Sequence, residues 1–295
     1  MSLTINHNLL AANTARNLSS SYSALSTSTQ RLSSGLRVNT AADDAAGLAV
    51  REIMRAEVSS LNQGVRNAND AISMIQTADG ALGVVDEKLI RMKELAMQAA
   101  TGTYSSDQRL IIDSEYQAMA SEITRIANST DFNGIHLLNG NLSGSSYDGT
   151  GLKSTGKLKV HFGTGNDSAE DYYYVQINTA TASALGVGLG ATGTNGKSIS
   201  TQELAQKALE ALDRAIVSKD KIRASLGALQ NRLENTITNL SIQSENTSAA
   251  ESQISDVDVA TEMTNFTEQQ IKVQTAVAML SQANSLGKLA MNLIQ

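Results

Sequence analysis

The 295-residue chain contains no proline, no cysteine and no tryptophan. Proline removes a backbone donor and clashes with the preceding helical turn, so its absence favours long uninterrupted helices. Without cysteine there is no disulfide framework and no thiolate ligand or nucleophile. Aromatic residues make up 3% of the chain, and Ala, Leu, Ile, Val and Met supply the apolar surface. This composition predicts helices packed side by side rather than a thick globular core.

The chain also lacks several targeting and binding signals. No run of about 18 consecutive apolar residues is present to span a membrane. Residues 1–16 have neither the basic nor the apolar region of a cleaved secretory signal, so any export is expected to use another route. The net charge is −6, with no acid before Asp43 and none after Glu268. Lysine and arginine are too dispersed for a nucleic-acid surface, so we expect neither nucleic acid nor membrane as a partner.

The first half of the chain carries the signals of three helices. The first is predicted over residues 3–34 and is ended by Gly35. The second is expected to begin at the capping box Thr40–Asp43 and to end at Gly102. The third is expected to begin at the box Ser105–Gln108. The short break before it predicts an antiparallel helical hairpin.

In each of these helices the residues facing a partner alternate at steps of four and three. The first seam contains Leu18, Tyr22, Leu25, Thr29, Leu32 and Leu36. The second contains Val50, Met54, Glu57, Leu61, Gly64, Ala68, Ala71, Ile75, Ala78, Leu82, Val85, Leu89, Met92 and Ala96. The third contains Ile112, Tyr116, Met119, Ile123 and Ile126.

The composition changes between about residues 131 and 200, where glycine and aromatic residues concentrate. Runs at Leu158–Phe162 and Tyr172–Ile177 predict a few strands or hairpins. Helical spacing returns after a further capping box, Ser200–Glu203. Its seam contains Leu209, Leu212, Ile216, Ile222, Leu226, Leu229, Leu233, Ile237 and Leu240, and the last amphipathic stretch contains Ile254, Val257, Val273, Val277 and Leu280. The predicted fold is mainly α: an elongated antiparallel helical bundle or coiled coil built from both chain ends, with a small β-rich, glycine-containing insert in the middle.

Two glycine-rich patterns resemble nucleotide loops. Residues 188–193 fit GxGxxG, with Asp213 beyond it, and residues 191–198 resemble a Walker A loop with Ala in place of the first Gly. A phosphate-binding loop needs later parallel strands, whereas the chain after this segment reads as helical, so a flexible turn is the simpler interpretation. The three histidines are far apart and no cysteine can join them. We therefore expect no catalytic residues, no metal site and no cofactor.

Several strings resemble bacterial flagellins more closely than they resemble coiled coils in general. Residues 31–50, RLSSGLRVNTAADDAAGLAV, are similar to the segment that joins the inner-core helix to the rod domain. Residues 76–109 resemble the second and third rod-domain helices, and residues 131–140, DFNGIHLLNG, resemble the turn that follows. Residues 221–240 and 256–271 are similar to carboxy-terminal rod and core strings.

The resemblance implies a structural, non-enzymatic subunit that assembles into the extracellular flagellar filament for swimming, after export in unfolded form by the flagellar type III system. Its partners would be further copies of itself, hook-associated junction and cap proteins, and an export chaperone at the carboxy-terminal end. The seam residues of the filament core would be Leu18, Leu25, Leu32, Val273, Val277 and Leu280. The implied domains are an inner-core helix (1–42), rod-domain helices and turn (43–140), a variable surface insert (141–199), a rod-domain helix (200–256) and a second inner-core helix (257–295).

In flagellins recognised by Toll-like receptor 5, an Arg and a Leu one turn apart, with a Glu from the next helix, form much of the contact. The matching residues are Arg91, Leu95 and Glu115, so the resemblance implies this receptor contact here. We expect Leu95 to flank the charged face as an apolar anchor.

Three other functions stay open at this point. A hook–filament junction protein would share the terminal helices, a cytosolic coiled-coil scaffold would form discrete oligomers, and an enzyme would use the 188–198 loop. Negative-stain microscopy of purified protein separates them, because only a filament subunit forms long tubes of uniform width.

Overall fold

A computed structural model describes residues 8–148, 155–168, 170–188 and 196–292. The helices of this part of the chain are α1 (Leu9–Ser34), α2 (Ala45–Ala100), α3 (Ser106–Ser129), α4 (Gln202–Ser255) and α5 (Val259–Asn292). The strands are β1 (Asp131–Phe132), β2 (Ile135–His136), β3 (Tyr147–Asp148), β4 (Thr155–Gly156), β5 (Leu158–His161) and β6 (Tyr172–Val175). The predicted class, mainly α with a small β-rich insert, is confirmed. Residues 3–7, where the first helix was predicted to begin, lie outside the described residues.

Two of the predicted helix boundaries are confirmed by their capping groups. Gly35 ends α1 with a φ of 72°, which glycine adopts without strain, and its N–H donates to Arg31 O. Ser105 begins α3 with a complete capping box: its hydroxyl accepts from the N–H of Gln108, and the Gln108 side chain accepts from the Ser105 N–H. These contacts satisfy backbone groups that a helix end leaves without partners.

Two other predicted caps lie further along the chain than their boxes predicted, by four residues at α2 and by one residue at α4. At the start of α2, Asp44 Oδ1 accepts from the N–H of Gly47, while Asp43 instead binds the N–H and hydroxyl of Thr40 in the turn before the helix. At the start of α4, Thr201 Oγ1 accepts from the N–H of Leu204. The capping-box patterns therefore located both helix starts to within four residues, but a later acid or hydroxyl supplies each cap.

The strands form three separate antiparallel pairs, β1–β2, β3–β4 and β5–β6. The first pair closes through Asn133 and Gly134, with φ values of 52° and 77°, the positive angles of a two-residue hairpin turn. In the longest pair Leu158 lies opposite Val175 and His161 opposite Tyr172. This pair confirms the two strands predicted in the insert.

The chain forms two compact units. The terminal unit takes the residues up to Val58 and those from Glu245 onward, and the central unit is Ser59–Ser244. In the central unit two apolar clusters contain the middle of α2, α3, the hairpins and the first part of α4. Every residue predicted for the α2 seam from Leu61 to Ala96 is buried there. The division into five domains stays a prediction.

Candidate functional site

The paired terminal helices are the first candidate site. They run antiparallel, since Asn8 Nδ2 donates to Ala283 O at 2.9 Å and Arg31 Nη1 lies 3.9 Å from Glu262 Oε2. The covered residues of α5 follow one another at steps of four and three: Glu262, Phe266, Gln269, Val273, Ala276, Leu280 and Ala283. The covered residues of α1 include Ala11, Thr14, Leu18, Ser21, Leu25, Ser28 and Leu32. The seam thus mixes leucine and valine with small and polar side chains.

Three of the residues predicted for the α1 seam, Leu18, Leu25 and Leu32, are half-buried. The two residues predicted between them are not: Tyr22 is 51% exposed and Thr29 is exposed. Ser21 and Ser28 occupy those seam positions instead. A serine fits between two close helices, whereas a tyrosine would force them apart.

On α5, Val273 is buried and Leu280 is half-buried. Val277 is 48% exposed and lies outside the seam. The reason is helical phase: Ala276 continues the steps of four and three from Val273, and Val277 falls one residue later.

Both terminal helices keep large apolar side chains exposed beside their seam. The exposed set is Leu9, Leu10 and Tyr22 on α1 and Val259, Met263, Ile271, Val277 and Met279 on α5. Two helices can cover only the sides that face each other, so the outer sides retain apolar surface. Exposed apolar surface of this extent is typical of a protein–protein contact.

The linkers that enter and leave this helix pair are bonded to each other. Arg37 N–H donates to Ser255 O at 2.7 Å, and Val257 N–H donates to Gly35 O at 3.0 Å. Arg37 Nη2 adds a contact of 2.7 Å to Ile254 O. The segment that follows α1 and the segment that precedes α5 are therefore held side by side.

The predicted receptor residues lie on α2 and α3 in the central unit. Arg91 donates from Nε and Nη2 to Glu115 Oε1 at 3.0 and 2.8 Å, and from Nη1 to Glu94 Oε2 at 3.0 Å. These acids raise the pKa of Arg91 above its ordinary value, with the Glu115 hydrogen bond as the largest cause. The Arg91 and Glu115 side chains are 49% and 43% exposed.

Leu95 corrects the expectation of an apolar surface anchor. It is 1% exposed and belongs to the apolar cluster between α2, α3 and α4. Four residues after Arg91, Leu95 lies about 40° further around the helix. It therefore faces the apolar cluster, beneath the exposed charged residues. The receptor contact itself stays a prediction, with Arg91 and Glu115 as its accessible residues.

The glycine-rich patterns offer little chemistry in the described residues. Residues 189–195, which carry most of both patterns, lie outside them. At the ends of this segment, the Gly188 N–H donates to Gly196 O at 2.9 Å, and buried Tyr116 Oη donates to the same carbonyl at 2.8 Å. Burial raises the pKa of Tyr116 above its ordinary value. Asp213 forms an ion pair with Lys93.

Metal ligands and membrane spans can be assessed over the same residues. His7 lies outside the described part of the chain, and His136 and His161 belong to different strand pairs. Within the described residues, no three His, Cys, Asp or Glu side chains come together as metal ligands. Among the described helices, none has the length and apolar character needed to cross a membrane.

Family models match most of the chain. The bacterial flagellin N-terminal helical region matches residues 5–143, and the bacterial flagellin C-terminal helical region matches residues 209–294. The chain belongs to the bacterial flagellin family. As a flagellin it is a structural filament protein and not an enzyme.

Full-length relatives agree with this assignment. The flagellar filament 33 kDa core protein of Treponema phagedenis is 40% identical over 291 residues, which cover 99% of each chain. The flagellin of Bacillus subtilis is 41% identical over 297 residues, covering 95% of this chain and 96% of the relative. A crystal structure of Bacillus cereus flagellin is 30% identical and covers 63% of this chain and 94% of its own, with a TM-score of 0.47.

Proposed function

We propose that this flagellin is exported unfolded by the flagellar type III system and polymerises outside the cytoplasm into a filament for swimming, with its terminal unit becoming fully ordered only as subunits associate. Its partners would be further copies of itself, the hook-associated junction and cap proteins, and an export chaperone at the carboxy-terminal end. The observation that carries this proposal is the exposed apolar surface of α1 and α5.

The seam between α1 and α5 gives a physical reason for coupling order to assembly. Leu18, Leu25 and Leu32 are only half-buried in the chain alone, and the serines between them add little apolar contact. Isolated helices gain most of their stability from packing of an apolar face. Neighbouring subunits would cover the outer sides of both helices and supply the missing packing.

Limited proteolysis combined with negative-stain microscopy tests this proposal. In monomer, protease should trim roughly the α1 and α5 segments and leave the central unit intact, because exposed and weakly packed backbone opens first. In polymer the same segments should be protected. Equal protection of both ends in monomer and filament would contradict the coupling.

A seam variant with a matched control sharpens the experiment. Leu25→Asp places an unpaired charge where α1 meets α5, so we expect no long tubes. Leu25→Met keeps an apolar side chain of similar volume and should still assemble. Tubes from the Asp variant would show that this seam does not contribute to assembly.

We also propose that Toll-like receptor 5 contacts the monomer through Arg91 and Glu115. The ion pair between them joins α2 to α3 and leaves both side chains accessible. Arg91→Ala and Glu115→Ala should each weaken signalling by monomer in a receptor reporter assay. Arg125→Ala, an exposed substitution on the same α3, is the control and should signal normally. Undiminished signalling from a folded Arg91→Ala/Glu115→Ala protein would exclude this contact.

A further inference from the structure

One column of residues along α4 is apolar except at a single position. The buried residues at every seventh position are Ala205, Leu212, Lys219, Leu226, Leu233 and Leu240. Lys219 is 2% exposed, as well covered as the leucines on either side. A charged group in this column costs desolvation free energy that an apolar side chain would not.

Lys219 is held by two carboxylates. Its Nζ lies 2.6 Å from Asp86 Oδ1 on α2 and 2.7 Å from Asp220 Oδ1 on its own helix. Asp86 is itself 28% exposed, so the pair lies at the edge of the apolar seam. Because Asp86 is on the neighbouring helix, the pair fixes one point of α4 against one point of α2.

Two further ion pairs join the same helices on either side of this point. Lys93 Nζ lies 2.5 Å from Asp213 Oδ1. Arg223 donates to both carboxylate oxygens of Asp79, from Nε at 2.7 Å and from Nη2 at 3.1 Å. The α2 members, Asp79, Asp86 and Lys93, are spaced by one heptad, so they follow one edge of that helix.

The signs of these charges distinguish the native register from its nearest alternatives. In antiparallel helices, a slide of one heptad in one direction brings Asp86 opposite Asp213. A slide of one heptad in the other direction brings Lys93 opposite Lys219. Both slides keep apolar residues facing apolar residues, because the seam repeats at the heptad. Each slide places two like charges together and leaves one pair of opposite charges, Asp79 with Lys219 or Asp86 with Arg223. A slipped register therefore has one attractive and one repulsive pair where the native register has three attractive pairs.

We propose that these three ion pairs select the register in which α2 and α4 pair as the chain folds, with Lys219 as the central positioning residue. A polar or charged residue at a single seam position is a known means of specifying helix register at a cost in stability. The two outer pairs extend this control in both directions along the seam.

Exchanging the charges of one outer pair changes which registers the charges favour without removing any native ion pair. The double variant Lys93→Asp/Asp213→Lys retains all three native ion pairs, but it makes every α2 member negative and every α4 member positive. One slide now brings Asp86 opposite the lysine at position 213, and the other brings the aspartate at position 93 opposite Lys219. The like-charge contact of each slipped register thus becomes an attractive one, while the three native contacts remain attractive.

Carbodiimide coupling of amines to carboxylates reads out the register directly. The reagent is present while full-length monomer refolds from urea, and the linked peptides are identified by mass spectrometry. Among links between α2 and α4, we expect only 93–213 and 86–219 in the natural chain, which report the native register. Links within one helix, such as Lys219 to Asp220, carry no register information. In the swapped chain we expect these links together with slipped 86–213 and 93–219 links.

The control exchanges charges of an exposed pair outside the seam. Glu122→Arg/Arg125→Glu alters the same number of charges on α3 and should give the native links alone. Native links alone from the swapped chain would overturn the proposal, because apolar packing would then suffice to set the register. A swapped chain that gives neither native nor slipped links would also overturn it, since three attractive pairs should still bring the helices together.

Discussion

The two units of this flagellin use the same helical spacing to different ends. In the central unit, Leu82 and Leu89 of α2 are 0% exposed, and Tyr116 of α3 is equally covered. In the terminal unit, the leucines of the α1 seam are only half-buried. The central unit surrounds α2 with α3, α4 and the hairpins, whereas the terminal unit offers each helix one partner. A regular seam therefore identifies a packed helix without saying whether its packing is complete in one chain.

The largest expected contrast comes from removing one leucine in each unit. Leu82→Ala should lower the free energy of unfolding of monomer by about 2–5 kcal/mol, because the central unit cannot fully close the cavity. Leu25→Ala should lower it by less than about 1 kcal/mol, since that side chain is already half in water. Urea unfolding followed by circular dichroism measures both. Equal losses would mean that the terminal unit is as well packed as the central one.

Two glycines of α2, Gly64 and Gly80, are expected to change monomer stability in opposite directions when each is replaced by alanine. A Cβ added at Gly64 would lie 2.0 Å from the backbone oxygen of Phe162, whereas one added at Gly80 would meet nothing within 4 Å. The Asn67 side chain also holds this segment, through His161 O at 2.8 Å. Gly64→Ala should therefore destabilise monomer by about 1–3 kcal/mol.

Gly80→Ala should instead stabilise monomer by up to about 1 kcal/mol, through helix propensity alone. Thermal unfolding of the two variants beside the natural chain tests the pair. If Gly64→Ala also stabilised the protein, the close approach of the β5–β6 loop to α2 would not hold in solution.

The smallest effect is expected from the exposed end of the ion-pair series. The Arg223 guanidinium lowers the pKa of Asp79 below its ordinary value of 3.8. The folded protein therefore binds this proton less tightly than the unfolded chain, so the pair stabilises above about pH 4 and its contribution is lost as pH falls through the lowered pKa. Since these side chains are 42% and 38% exposed, the contribution is about 0.5 kcal/mol.

Asp79→Asn should thus cost about 0.5 kcal/mol at neutral pH, and this difference should shrink as the pH falls through the lowered pKa of Asp79. The measurement is the urea midpoint of both proteins across this range. Asp70→Asn, at an exposed acid on the same helix, serves as the control. A difference that persisted unchanged at low pH would assign the effect to something other than ionisation.

The same contrast between units explains how far the sequence could predict the fold. Apolar spacing identified the α2 seam correctly from Leu61 onward because α3, α4 and the hairpins together cover that face of the helix. It misplaced Tyr22 and Val277, because the terminal helices keep some large apolar residues on the outside. Where a surface is reserved for other subunits, the apolar character of a residue no longer indicates that it faces its own chain.

The α4 seam shows a second limit. Its predicted spacing broke between Ile216 and Ile222, and the missing position is Lys219, which apolarity could not find. Its acidic partner Asp86 lies far away in sequence. The only sequence signal was the heptad itself, which continues from Leu212 through Lys219 to Leu226. The prediction that Leu95 is a surface anchor was wrong for a related reason, since the resemblance to the family identified the residue but not its burial.

The bonded linkers have a mechanical consequence for a filament subunit under tension. The chain enters and leaves the terminal helix pair through two segments, joined by hydrogen bonds from Arg37 to Ser255 and from Val257 to Gly35. Tension on α1 and α5 would reach these segments together, and the bonds prevent one from lengthening before the other. The two linker segments therefore carry a tensile load together, and neither helix is pulled out of the pair alone.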